Sequence, residues 1–233
     1  MSNPAQTIII TGAGRGIGRV IATYFAAHTS FQLYLISRTA EHLDQTARMC
    51  THEGCPAVFT QCVDITNSEQ INQLPLPEPF SAVRALINNA GQFMVDAPDT
   101  LEEDLIHHQF DHNALSAALV TRRFLPVLRE QPQALIANIS SVASHIGMKN
   151  AVAYTMSKHA LLGYTRSLRE YLRGTNIAVT ALSPGSTWST SWEGSKADPE
   201  TTIDSLDIAI LLEALTRMSH RSVVDEIHLN PSK

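Results

Sequence analysis

The stretch "TIIITGAGRGIG", residues 7–18, joins a short apolar run to a glycine-rich turn, and this junction decides the fold. Glycines in such a turn let the chain reverse tightly, and they let a phosphate approach the backbone at the positive end of the next helix. Their spacing differs from GxGxxG, and no Gly-Lys-Ser/Thr follows as in a P-loop. The junction therefore predicts a strand, a turn and a helix that bind a dinucleotide, or else a tight connection alone.

The same alternation continues along the whole chain. Short runs rich in Ile, Val and Leu are typical of strands buried on both faces, and they occur at residues 7–10, 32–37, 57–64, 84–88, 134–140, 177–183 and 226–229. Segments with helical periodicity separate them, for example at 16–28, 40–52, 101–129 and 151–173. This order predicts one doubly wound α/β domain of Rossmann type over residues 1–233, with a seven-stranded, mainly parallel sheet and helices on both faces.

Composition and charge exclude several classes of protein. The 233 residues are 44% hydrophobic and 17% charged, with a net charge of −5, which predicts a folded domain that binds neither nucleic acid nor membrane. No apolar run approaches the roughly 18 residues of a membrane span, and the N-terminus does not read as a signal peptide, so we expect a cytoplasmic protein. The three cysteines lack metal-binding spacing, and His107, His108 and His112 fit a polar helix face better, so no metal site is predicted.

Ligands of a doubly wound sheet bind beyond the carboxyl ends of its strands, so the residues there are the candidate site. Ser141 follows the fifth predicted strand, and Tyr154 comes 13 residues later on the next predicted helix. Tyr154 and Lys158 are four apart and share one helix face. A neighbouring lysine should lower the pKa of the phenol, which would make it a proton donor and acceptor near neutral pH. On its own, the pair fits an ordinary solvated helix face better than a catalytic site.

Together these motifs resemble the short-chain dehydrogenase/reductase family. The matches, in the family's order, are TGxxxGxG at residues 11–18, NNAG at 88–91, Ser141 ahead of YxxxK at 154–158, and Pro184-Gly185 after the sixth strand. The resemblance implies an oxidoreductase in which Tyr154 is the general acid/base and Ser141 orients the substrate oxygen. It further implies that Lys158 lowers the Tyr154 pKa and holds the nicotinamide ribose. Asn113 would support a relay water next to Lys158, or else it kinks or caps its helix.

The resemblance also implies a cofactor site. Its residues are Gly12, Gly14, Arg15, Gly16, Ile17, Gly18, Ser37, Arg38, Asp64, Ile65, Asn89, Ala90, Gly91, Tyr154, Lys158, Pro184, Gly185 and Thr187. Asp64 resembles the acid that contacts adenine, although an Asx turn or helix cap explains it nearly as well. The second strand ends with Ser37 and Arg38 and no acid, which favours the 2′-phosphate of NADP(H) over NAD(H). Arg15 is a second cation that could reach this phosphate.

Substrate and assembly are less constrained by the sequence. In the variable loop at about 186–205, Trp188 and Trp192 could form a lid over a planar ligand, or pack against the protein. The tail "SHRSVVDEIHLNP" is similar to that of bacterial sepiapterin-reductase-like members, which suggests a pteridine or another small carbonyl substrate. A 3-oxoacyl thioester reductase and a regulatory dinucleotide-binding protein are the alternatives.

The chain departs from the family pattern in places, and its assembly is implied only by the family. Residues 67–85 are proline-rich and predict a shortened helix, while Thr187 and Ser189 differ from the residues common after Pro-Gly. A homodimer or homotetramer is expected through the helices at 101–129 and 151–173. The apolar residues expected on their faces are Leu115, Leu119, Leu161 and Leu168.

Overall fold

A sheet of seven parallel strands runs through the centre of the molecule in the computed structural model, which describes residues 6–75, 82–189 and 198–232. The strands are β1 (Thr7–Thr11), β2 (Gln32–Ser37), β3 (Val58–Cys62), β4 (Val83–Asn88), β5 (Ala134–Ile139), β6 (Ile177–Pro184) and β7 (Glu226–Leu229). Their order is β3-β2-β1-β4-β5-β6-β7, and each neighbouring pair is parallel. The predicted fold class is confirmed, and these seven strands are wholly rather than mainly parallel. The strand order reverses between β1 and β4, which is where such sheets bind ligands.

Helices cover both faces of the sheet. They are α1 (Gly16–His28), α2 (Ala40–His52), α3 (Ser68–Asn72), α4 (Glu103–Phe110), α5 (Ser116–Arg129), α6 (Val152–Tyr171) and α7 (Ser205–Arg217). Successive strand side chains point to opposite faces, so Ile8 and Ile10 of β1 pack with α1, α2 and α7, whereas Ile9 packs with α3, α5 and α6. No helix of the described ranges combines the length and apolar character needed to cross a membrane.

The predicted helix at 101–129 is interrupted in its middle. Between α4 and α5 the chain makes a π-helical turn, Asp111–Leu115, in which the Ser116 N–H donates to the carbonyl of Asp111 instead of the residue four positions back. Such single π turns occur often at functional sites. Asn113 lies at the centre of this turn, where the α-helix is interrupted. This agrees with one of the two predicted roles of Asn113, that of a residue that kinks or caps its helix.

The described part of the proline-rich segment carries a short helix, as predicted. α3 has five residues and is capped by Asn67, whose side chain accepts hydrogen bonds from the N–H groups of Glu69 and Gln70. Residues 76–81 of that proline-rich stretch lie outside the described residues.

The expected assembly face is partly wrong. Leu161 and Leu168 are only 2% and 8% exposed, because both pack into hydrophobic clusters of their own chain. Leu119 is partly buried in the same way, whereas Leu115 remains 48% exposed. Helical periodicity alone did not distinguish the inward face of α6 from its outward face.

Candidate active site

A cavity of about 210 Å³ opens at the carboxyl ends of β1 to β4, at the reversal of strand order. Its lining residues are Gly12, Arg15, Gly16, Ile17, Gly18, Ser37, Arg38, Val63, Asp64, Ile65, Asn89, Ala90, Gly91, Gln92, His112 and Ser189. Most of the predicted cofactor residues therefore line one cavity, although they come from four separate strand ends. Val63, Gln92 and His112 were not among the predicted residues, and Ser189 was noted only as a departure from the family.

The remaining predicted cofactor residues do not line this cavity. Gly14 packs underneath it, where a Cβ would lie 3.0 Å from the Ser37 hydroxyl. Gly185 approaches Pro231, and the Thr187 hydroxyl donates to the Gly185 carbonyl at 3.0 Å. Pro184, the last residue of β6, is buried.

The glycine turn after β1 is packed directly against the segment after β4. Gly12 has a φ of +66°, and a Cβ there would lie 2.8 Å from the Ala90 Cα, so only glycine fits without strain. The Thr11 hydroxyl accepts from the N–H groups of Asn89 and Ala90, both at 3.1 Å. These contacts hold the two walls of the cavity together and leave a cradle of backbone that a diphosphate can approach.

Asp64 forms the Asx turn that was one of the two roles considered for it. Its carboxylate accepts hydrogen bonds from the backbone N–H and the hydroxyl of Thr66, at 2.9 and 2.8 Å, which is an Asx turn. These bonds lower the pKa of Asp64. The residue also lines the cavity, so the turn holds an ionised carboxylate at its wall.

Asn113 joins three segments around the predicted catalytic residues. Its Oδ1 accepts from the Gln92 N–H at 2.7 Å, and its Nδ2 lies 2.9 Å from the Gln92 carbonyl and 3.0 Å from both Ser157 Oγ and Gln109 Oε1. Ser157 lies on α6 between Tyr154 and Lys158. The oxygen and the nitrogen of the Asn113 side chain are therefore both engaged with other protein groups. A relay water would have to bind another atom of the π turn.

Lys158 is buried beside the cavity and is held in one orientation. Its Nζ donates to the Ile139 carbonyl at 3.1 Å and lies 5.7 Å from the centroid of the Tyr154 ring. A Cβ on Gly91 would lie 3.5 Å from this Nζ and 2.8 Å from Asn113 Oδ1. Burial lowers the pKa of Lys158 to about 8.

The predicted fall in the pKa of Tyr154 is wrong. Burial raises the pKa of the Tyr154 phenol, and a hydrogen bond with Ser141 only partly offsets this rise. The Lys158 Nζ donates to the Ile139 carbonyl, and its charge does not reverse the rise in pKa that burial causes. The phenol is consequently protonated at neutral pH and can donate a proton.

Two residues near Tyr154 were missed by sequence reasoning. The Phe93 ring packs edge-to-face on the Tyr154 ring, with centroids 5.0 Å apart, and is 51% exposed. The Asp96 carboxylate accepts from the N–H groups of Val152 and Ala153, at 2.6 and 3.0 Å, and so caps α6 from a distant loop. The sequence holds no signal for either contact, because neither residue belongs to a motif.

We expect Asp96→Ala to lower both stability and kcat. Loss of the two hydrogen bonds at the start of α6 should lower the free energy of unfolding by about 1–2 kcal/mol and loosen the helix turn that carries Tyr154. Urea unfolding and steady-state kinetics measure the two effects. The matched control is Asp204→Ala, which removes the cap of α7, a helix without a predicted catalytic residue. An equal loss of kcat in both variants would contradict a positioning role for Asp96.

We expect Lys158→Met to raise the free energy of unfolding at pH 7 by about 1–2 kcal/mol. This value is the cost of burying the lysine charge minus the contribution of the one hydrogen bond that is lost. Because the folded pKa, about 8, lies below the unfolded value, the folded state binds fewer protons between these two values. Wild-type stability therefore rises with pH across this window, and the advantage of the variant should fade toward pH 10.5.

Urea unfolding at pH 7 and pH 10 measures this difference. Lys149→Met, at an exposed position, is the control and should change stability little. A Lys158→Met variant less stable than wild type at pH 7 would show that burial of the ammonium costs nothing.

Comparisons with known proteins agree with this geometry. The family model described as short chain dehydrogenase matches residues 6–200. The chain is 30% identical to the sepiapterin reductase of Chlorobaculum tepidum, over 97% of this chain and 96% of that protein. A metagenomic short-chain oxidoreductase in complex with NADP is 26% identical with a TM-score of 0.84, and each chain is covered completely. A variant of actinorhodin polyketide ketoreductase with NADPH has the same fold, with a TM-score of 0.88 at 21% identity over 99% of this chain and 98% of that one. The chain belongs to the short-chain dehydrogenase family of oxidoreductases.

Proposed function

We propose that the protein is an NADPH-dependent carbonyl reductase that transfers hydride between nicotinamide and a small carbonyl compound. The observation that carries this proposal is the contact between the side chains of Ser141 and Tyr154, with Lys158 one helical turn away beside the cavity. Two hydroxyl groups that meet at one point can both bind a carbonyl oxygen. A protonated phenol there can deliver a proton as that oxygen gains negative charge.

The chain's own residues divide the work of this reaction. When bound, the nicotinamide supplies or accepts the hydride. The Ser141 hydroxyl orients the substrate oxygen, since its own position is held by a hydrogen bond from the Ala143 N–H at 3.1 Å. Tyr154 donates its proton to that oxygen, and Lys158 stabilises the resulting phenolate. The cavity residues of the glycine turn and of β2 would hold the diphosphate and the adenosine end.

For the substrate we propose a small carbonyl compound such as the side-chain ketone of a pteridine. Two observations support it: the relative of 30% identity is named sepiapterin reductase, and the half-exposed Phe93 ring packs on the Tyr154 ring. Met94 and Val95, the next two residues along the chain, are also exposed apolar side chains. A flat heterocycle could stack against the Phe93 ring and so bury apolar surface.

The tryptophan lid finds only limited support. The Trp188 N–H donates to the Ile203 carbonyl at 2.8 Å, and its carbonyl accepts a hydrogen bond from Ser205. The backbone at Trp188 is thus fixed to the start of α7, so a moving lid would have to lie further along the loop. Trp192 lies outside the described residues.

A panel of carbonyl compounds, followed by the decay of NADPH absorbance, tests the proposed function. We expect turnover of sepiapterin-like ketones above that of a 3-oxoacyl thioester, and loss of turnover in Ser141→Ala. Preference for the thioester would instead support the alternative acyl substrate. Binding of NADPH without oxidation of it by any carbonyl would identify a regulatory dinucleotide-binding protein.

We further propose a homodimer or homotetramer in the cytoplasm, formed through the outward faces of α5 and α6. With Leu161 and Leu168 buried, the exposed apolar residues available to such a contact include Leu115 of the π turn and Met156 and Tyr171 of α6. Light scattering at micromolar concentration should give at least twice the mass of the chain, and a monomer would contradict the proposal.

A further inference from the structure

Two imidazoles and a carboxylate meet beside β6 and β7, next to the turn that begins at Ser141. His145 directly follows that turn. Glu226 and His228 are two residues apart on β7 and therefore point to the same side of the strand. Ser183 of β6 is the register partner of His228. The four residues thus come from three parts of the chain that are distant in sequence.

The donor atoms converge on one point. Glu226 Oε2 lies 3.8 Å from His145 Nε2 and 3.7 Å from His228 Nε2, and the three ligand atoms lie within 4.8 Å of one another. A tetrahedral ion with ligands at about 2.0–2.1 Å needs donor atoms roughly 3.4 Å apart. We propose that His145, Glu226 and His228 bind one divalent transition-metal ion, with Zn²⁺ as the representative.

The surroundings of the cluster suit such an ion. Imidazole together with carboxylate favours zinc, copper or nickel over magnesium or calcium. Arg166 Nε donates to the other oxygen of Glu226, Oε1, at 2.7 Å, and ligating carboxylates usually have such an outer hydrogen bond. The Arg166 Nη2 also lies 3.1 Å from Oε2, so this half-exposed side chain has to shift away from that oxygen. Ser183 Oγ, 3.4 Å from His145 Nε2, could hold a water in the fourth position.

Binding would couple the edge of the sheet to the active-site turn. His145 is 81 residues from Glu226 along the chain, so the three ligands assemble only in the folded state, and the ion should stabilise that state. It would fasten β7, the last strand of the sheet, to the turn after Ser141. This inference does not depend on the proposed reaction.

Calorimetric titration of the tag-free, EDTA-treated chain with Zn²⁺ tests the site, together with the visible spectrum of a Co²⁺ titration. We expect one ion per chain, a spectrum of tetrahedral Co²⁺ and a higher melting temperature. His228→Ala and Glu226→Gln should each weaken binding about tenfold or more. His228 is half-exposed, so its variant should fold, and circular dichroism without metal checks this.

The matched control is His107→Ala. It removes another histidine that lies close to a glutamate, with His107 Nε2 3.5 Å from Glu103 Oε1 at an exposed place. Among the described residues no third ligand joins this pair. This variant should bind Zn²⁺ as wild type does. Either of two results would overturn the proposal. One is wild-type affinity for Zn²⁺ in both His228→Ala and Glu226→Gln, and the other is an equal loss of affinity in His107→Ala. The absence of any calorimetric or spectral signal from the wild type at millimolar Zn²⁺ or Co²⁺ would also overturn it.

Discussion

Tyr154→Phe should lower kcat by about 10² to 10⁴ while cofactor affinity stays unchanged. The substitution removes the only hydroxyl proposed to deliver a proton to the substrate oxygen, and positioned proton transfer contributes about this factor. It keeps the aromatic ring, so the edge-to-face contact with Phe93 is preserved. NADPH oxidation in the steady state measures kcat, and fluorescence titration of NADPH measures affinity.

The matched control for this variant is Tyr164→Phe. Tyr164 is a second phenol on α6, and its side chain hydrogen-bonds Thr121 instead of Ser141. Its removal should leave kcat almost unchanged. If Tyr154→Phe turned over at a near-normal rate, the proton would have to come from another group, and the proposed role of Tyr154 would be wrong.

The strands could be predicted well because each is a short run rich in apolar residues, and those in the middle of the sheet are buried on both faces. Ile8, Ile9 and Ile10 show why: neighbours in sequence pack into clusters on opposite sides of the sheet, so no polar alternation interrupts the run. The π turn could not be predicted, since the periodicity of 101–129 passes through it. Tertiary hydrogen bonds from Asn113 to Gln92 and Ser157 accompany it, and these partners are distant along the chain.

The site was predictable where it depends on strand ends and motifs. The glycine turn, residues 37–38 and residues 89–91 all line one cavity because their strands are neighbours in the sheet. Contacts between separate loops leave no pattern in the sequence, so the contact of Asp96 with the start of α6 was not predicted. The direction of the Tyr154 pKa shift was wrong for a related reason, because burial is a property of the fold and outweighs the nearby charge of Lys158.

Substitutions at the carboxyl end of β2 should change the choice of cofactor. Ser37 and Arg38 line the same cavity as Arg15, and the 2′-phosphate of NADPH is expected between them. Ser37→Asp should favour NADH, because its carboxylate repels the phosphate and accepts from a 2′-hydroxyl. Arg38→Ala should raise KM for NADPH about 10- to 100-fold, the value of a hydrogen bond to a charged group.

The comparison of kcat/KM for NADPH and NADH isolates the phosphate, since the two cofactors are otherwise identical. Arg38→Ala should leave the NADH value nearly unchanged, even though Arg38 also contacts His112 at 3.3 Å. Arg48→Ala removes an exposed arginine of α2 outside the cavity, and it should change neither value. If Arg38→Ala reduced both values equally, Arg38 would support the fold of the pocket. If kcat/KM of the wild type for NADH equalled or exceeded that for NADPH, neither Arg15 nor Arg38 would recognise the phosphate, and the proposed preference for NADP(H) would be wrong.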